Sequence, residues 1–108
     1  MNEEIKHDNT GQFITLTFSN QELEKLTKET GIKESNAVAT IAVRRFLERW
    51  RKKYKKSVKH WLVTELGRKF TERIHLHGIL FTNEDDKTIE KLWKYGRYYR
   101  DWERTLCK

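Results

Sequence analysis

His75 and His77 are separated by a single residue, Leu76. On a β-strand successive side chains alternate between faces, so both imidazoles point the same way, about 6 to 7 Å apart along the backbone. Two imidazoles so placed can grip one cation. Glu65 lies upstream in a second extended segment, and a hairpin of regular register brings its carboxylate to the same face. Two imidazoles and one carboxylate suit a divalent ion with open positions left for a substrate, and such an ion acts as a Lewis acid on a phosphoryl or carbonyl oxygen. A His-x-His pair alone also occurs as two solvated side chains on a wet sheet. Here the carboxylate, the glycine directly after the pair (Gly78) and the basic balance of the chain favour the metal reading.

Residues 12–19 read as a strand rich in aromatic and β-branched types, with Ile14, Leu16 and Phe18 on one face and Phe13, Thr15 and Thr17 on the other. Ser19 or Asn20 can cap a helix over 21–30 that stops at Gly31. A longer helix is predicted over 36–55, where Val38, Ile41, Ala42, Phe46 and Trp50 recur near the helical period. Arg45, Arg49, Lys52 and Lys56 form a basic row beside that stripe. Residues 60–66 and 73–81 read as two strands joined by a polar loop, short enough for an antiparallel hairpin. Trp61, Val63 and Glu65 share one face of the first; Arg73, His75, His77 and Ile79 share one face of the second. Asn83 or Asp85 caps a last helix over 86–94, ending at Gly96, and residues 97–108 read equally as strand or helix. Strand, helix, helix, strand, strand, helix makes an α+β domain, an antiparallel sheet with helices packed on one face. The apolar faces (Ile14, Leu16, Phe18; Leu62, Leu66; Ile74, Leu76, Leu80) meet the helices, and Thr15, Thr17, Glu65, His75 and His77 look the other way. Residues 1–11 read as a flexible N-terminus and 12–108 as one domain.

The chain carries a formal charge of +7 with 36% charged residues, which favours a polyanionic partner because each neutralised phosphate releases counterions. It has no apolar run of the roughly 18 residues a membrane-spanning helix needs, and its first residues lack the layout of a secretory signal. One cysteine, Cys107, allows no intrachain disulfide, and a reducing cytoplasm is the expected setting.

The segment His75, Leu76, His77, Gly78 resembles the histidine, bulky apolar, histidine motif of the HUH endonucleases, which include rolling-circle replication initiators, relaxases and some transposases. Glu65, Leu66, Gly67 running on to Arg73, Ile74, His75, and Phe46, Leu47, Glu48, Arg49, Trp50 running on to His60, Trp61, resemble the initiators of gokushovirus-like single-stranded DNA phages. The strand Phe13 to Phe18 resembles the family's first motif, and the likeness spans residues 12–96. It implies an HUH/Rep-like sheet, a relative of the ferredoxin-like folds, with the active site on the face opposite the helices. It implies nicking of single-stranded DNA to start rolling-circle replication, with Mg²⁺ or Mn²⁺ held by His75, His77 and, as third ligand, Glu65. It also implies a tyrosine nucleophile and, as partners, single-stranded DNA and host replication machinery.

The family's tyrosine motif carries a lysine three or four residues on, and none of Tyr95, Tyr98 and Tyr99 is followed by one. The expectation is a C-terminally incomplete domain that holds the metal half of the site, with Tyr99 the alternative nucleophile. Arg45, Arg49, Lys52 and Arg73 are expected to contact phosphates and Trp61 to stack on bases. Two rival readings remain: a non-catalytic single-stranded nucleic-acid-binding module, and a zinc hydrolase using the same three side chains.

Overall fold

The computed structural model describes residues 11–65 and 74–101. In chain order they form β1 (Gly11–Thr17), α1 (Asn20–Thr30), α2 (Ser35–Tyr54), β2 (Lys59–Glu65), β3 (His75–Phe81), α3 (Asp86–Trp93) and β4 (Tyr98–Arg100). The strands make one sheet in the order β2-β3-β1-β4, and every neighbouring pair is antiparallel. The expected α+β architecture is therefore the one observed.

Alternation along β1 and β3 sets up the layers. Ile14, Leu16, Leu76 and Leu80 are buried, and they join one core with Leu26 of α1, Val38, Ala42, Phe46 and Trp50 of α2, and Ile89 and Trp93 of α3. All three helices thus cover the even-numbered face, and the odd-numbered face is left open. Trp93 anchors the centre of the core. Its ring packs edge-on to Phe18 and Phe46, and its indole N–H donates to the Thr17 carbonyl oxygen at 2.8 Å, so the one polar atom of a buried aromatic is satisfied. Gln12, also buried, donates to the Thr82 carbonyl at 2.6 Å and accepts from the Tyr98 hydroxyl at 3.3 Å.

Local signals explain the helix ends. The Ser19 hydroxyl accepts from the Glu22 amide and the Asp85 carboxylate from the Thr88 amide, the standard N-cap contacts. Gly31 ends α1 in the left-handed conformation at φ 71°. α2 begins one residue earlier than expected, with Glu34 at the cap and no side-chain cap bond.

Three expectations need correction. β1 ends at Thr17, two residues short of the expected limit, because the chain turns into the Ser19 cap. α3 ends at Lys94, which takes the left-handed conformation at φ 73° and donates its amide to the Glu90 carbonyl, so Gly96 is not the helix stop. Gly96 is needed for close approach instead: a Cβ there would run into the Thr17 carbonyl and come within 2.7 Å of its carbon. The chain can therefore fold back along β1, and residues 98–100 become β4. The expected loop 67–72, together with Leu66 and Arg73, lies outside the described residues.

Candidate metal centre and open sheet face

Strand register decides which side chains meet. His77 lies opposite Val63 of β2 and Thr15 of β1; His75 lies opposite Glu65 and Thr17. Opposed residues share a face, so Glu65, His75, His77, Thr15 and Thr17 all lie on the open side, as the alternation of the sequence predicted. The Glu65 Oε1 is 2.8 Å from His77 Nε2 and 3.6 Å from His75 Nε2, and the ring centroids of the two histidines are 4.6 Å apart.

One ligand atom from each of the three residues falls within 4.8 Å of the other two. A six-coordinate ion with bonds of about 2.1 Å separates neighbouring ligand atoms by about 3 Å and opposite ones by about 4.2 Å. The three side chains therefore fit such an ion as neighbouring ligands after small rotations, and they leave its other positions facing solvent. Imidazole donors suit Mn²⁺ better than Mg²⁺, which prefers an all-oxygen set.

Thr15 is the site residue that sequence reasoning missed. Its hydroxyl lies 3.0 Å from His77 Nδ1. A hydroxyl can donate or accept, so it can take the Nδ1 proton and leave the Nε2 lone pair facing the cluster, the tautomer a cation requires. The reading of β1 as mainly a fold element overlooked this, because the partner of Thr15 depends on a long-range strand pairing. Replacing Thr15 by Val keeps the shape but removes the hydrogen bond. Thr15→Val is expected to weaken Mn²⁺ binding about 10- to 100-fold, with Thr15→Ser retaining most of it. Calorimetric titration with MnCl₂ checks this, and equal affinity in Thr15→Val and the parent would remove Thr15 from the site.

Beside the cluster lies a depression of about 350 Å³ whose lining includes Phe13, Thr15, Trp61, Glu65, His77, Ile79 and Asp101. Trp61 is 61% exposed and Val63 42%, so β2 presents apolar surface to solvent next to the cluster. Tyr99 is opposite Thr15 on β4 and 54% exposed. Val63, His77, Thr15 and Tyr99 therefore form one row across all four strands of the open face. Tyr98 is opposite Leu16 on the buried side; burial and then the nearby Asp86 charge push its phenol well above the usual range, which removes it as a nucleophile.

The basic row on α2 behaves differently from expectation. α2 lies in the layer on the far side of the sheet from the histidines. Arg49 donates from Nε to the Leu92 carbonyl at 2.7 Å and from an Nη to the Trp93 carbonyl at 2.9 Å, and its guanidinium lies over the Tyr95 ring. It thus satisfies carbonyls at the C-terminus of α3, and its role as a phosphate contact is corrected to that of a brace between helices. Arg45 pairs with Glu29 at 3.1 Å, which raises its pKa through the hydrogen bond to that carboxylate. Lys52 is exposed on the same helix. Arg73 lies outside the described residues.

The profile of a family of replication-associated proteins, described as ORF2/gene II protein, matches residues 11–108. The chain belongs to that family. No curated protein and no solved structure matches it. The match takes in every element from β1 to β4, so the three-residue cluster, the Thr15 contact and the Tyr99 row all lie within the span shared with these replication-associated proteins. Among the described residues, no helix is long and apolar enough to cross a membrane.

Proposed function

We propose that this protein nicks single-stranded DNA in a divalent-cation-dependent reaction, as an HUH-type initiator of rolling-circle replication related to those of gokushovirus-like phages. The observation that carries the proposal is the convergence of Glu65, His75 and His77 on the uncovered face of the sheet. A replication-associated family supports it, as does the chain's charge of +7. In this reading Nε2 of both histidines and Oε1 of Glu65 hold Mn²⁺ or Mg²⁺. The bound ion supplies charge neutralisation and Lewis-acid polarisation at the scissile phosphate.

The remaining work falls to the protein. Thr15 orients His77, while Trp61, Phe13 and Ile79 offer apolar surface on which unstacked bases can lie. Tyr99 supplies the attacking oxygen. Two strand spacings separate its backbone from that of His77, about 9 to 10 Å, which a phenol and a nucleotide together can span. The phenol loses its proton, its oxygen bonds to phosphorus, and the 3′ oxygen leaves and is protonated. The products are a 5′-phosphotyrosine and a free 3′-hydroxyl that a polymerase can extend.

The test is incubation with a single-stranded DNA library and Mn²⁺, followed by denaturing electrophoresis. A covalent protein–DNA adduct is expected, and it should disappear in Tyr99→Phe while metal binding persists. Cleavage without an adduct in both proteins would assign the nucleophile elsewhere. Binding that neither cleaves DNA nor depends on metal would favour a non-catalytic nucleic-acid-binding module, the reading that the exposed Trp61 and Val63 surface best supports.

A further inference from the structure

β2 is an outer strand of the sheet, seven residues long, and every residue in it except Leu62 is exposed. β4, at the opposite edge, has only three residues, and short edge strands resist pairing with other chains. β2 has no such protection among the described residues: it contains no proline, and it displays Trp61 and Val63 beside its unpaired edge.

The sequence of β2 complements itself. Residues opposed in an antiparallel pair point to the same face, so two copies of one strand can pair only about a two-fold axis that passes beside one residue. Placing that axis at Leu62 pairs all seven residues. Lys59 then faces Glu65, His60 faces Thr64, Trp61 faces Val63, and Leu62 faces its own copy. Opposite charges meet at both ends, and the exposed apolar pair meets on the open face. On the other face Leu62, already packed against the core, meets its equivalent. Arg44, Glu48 and Arg51 of α2 line a groove of about 280 Å³ near the start of β2, and their mixed signs allow cross-pairing with a second copy.

We propose that the protein forms a two-fold symmetric homodimer by antiparallel pairing of β2 with β2 about Leu62, giving one continuous eight-stranded sheet. The axis runs perpendicular to that sheet, so both helix layers lie on one side and both open faces on the other. Three strand spacings and an offset of two residues put the two His77 backbones about 16 Å apart. The inference rests on the strand edge and not on the nicking reading, and its test involves no DNA.

The test is analytical ultracentrifugation of the full chain, with cross-linking of a Leu62→Cys variant in a Cys107→Ser background. The parent should sediment as a concentration-dependent dimer. Lys59→Glu, which sets like charges opposite Glu65 twice per dimer, should raise the dissociation constant about tenfold or more. Across the axis the Cα atoms lie about 4.5 to 5.5 Å apart, within disulfide range, so oxidised Leu62→Cys should run as a covalent dimer. If that variant fails to fold by circular dichroism, the parent and Lys59→Glu sedimentation data decide. A parent that stays monomeric up to its solubility limit overturns the proposal, whether or not another partner seats on β2. So does a dimer indifferent to Lys59→Glu.

Discussion

His77→Ala is expected to lose divalent-cation binding by at least about 100-fold, with DNA cleavage falling to background while the fold survives. The imidazole is the hub of the site. Its Nε2 is 2.8 Å from the Glu65 carboxylate and its Nδ1 is 3.0 Å from the Thr15 hydroxyl, so one substitution removes a ligand and releases two neighbours. Outer partners of a metal ligand alone are worth about 10- to 100-fold, and the ligand itself is worth more. The side chain stands on the open face, partly exposed, so its truncation leaves no buried cavity and should shift the melting temperature little. The difference between His77→Ala and Thr15→Val orders the two residues as ligand and support. Mn²⁺ titration by calorimetry or electron paramagnetic resonance gives the binding arm, and denaturing gels give the cleavage arm. Unchanged Mn²⁺ affinity in a folded His77→Ala protein would sink the metal centre.

Gly78→Ala is expected to damage both stability and the site. Gly78 lies between His77 and Ile79 on β3, facing the helix side, opposite Leu62. A Cβ there would collide with the Trp61 carbonyl oxygen and come within 2.8 Å of the Leu62 Cα. Both obstacles are backbone, so no rotamer change relieves them, and β2 must move away from β3. Overpacking of this kind costs about 1 to 3 kcal/mol, and more where backbone has to yield. For a domain of this size that is a fall of about 10 °C or more in melting temperature. The same movement carries Glu65 away from the histidines, so Mn²⁺ affinity should fall in the material that remains folded, although no ligand has been touched. Thermal unfolding followed by circular dichroism, paired with Mn²⁺ titration, separates the two effects. A melting temperature and an affinity both equal to the parent's would mean that the strands are not so closely apposed.

These two residues also show what could be read from the sequence. The faces of β1 and β3 were legible because burial on one side only writes an alternating pattern, and His75 and His77 share a parity opposite to that of Leu76 and Leu80. The placement of Glu65 followed from the same alternation once a hairpin was assumed. β4 was not legible: three residues carry little local preference, and Tyr98 and Tyr99 become strand only because Leu16 and Thr15 accept them as neighbours. Thr15 as partner of His77 and Tyr99 as its row-mate depend on that same long-range register. The Arg49 brace was hidden for a related reason. A basic row on a helix reads as solvated or anion-binding, and only the arrival of α3 beneath it supplies the Leu92 and Trp93 carbonyls. α3 stops at Lys94 although Gly96 is close by, because close backbone approach to β1 is the stronger demand on that glycine.

The sheet's division into a covered and an uncovered side has a consequence for how such a domain changes over time. On β1 and β3 the information that specifies folding is held at even positions and the information that specifies chemistry at odd ones. Phe13, Trp61, Val63 and Ile79 can therefore be exchanged to suit a new nucleic-acid sequence with little penalty to the core beneath. Ile14, Leu16, Leu76 and Leu80 can in turn drift among apolar types without disturbing the ligands. The two inheritances are interleaved residue by residue in the chain, yet they answer to separate selection.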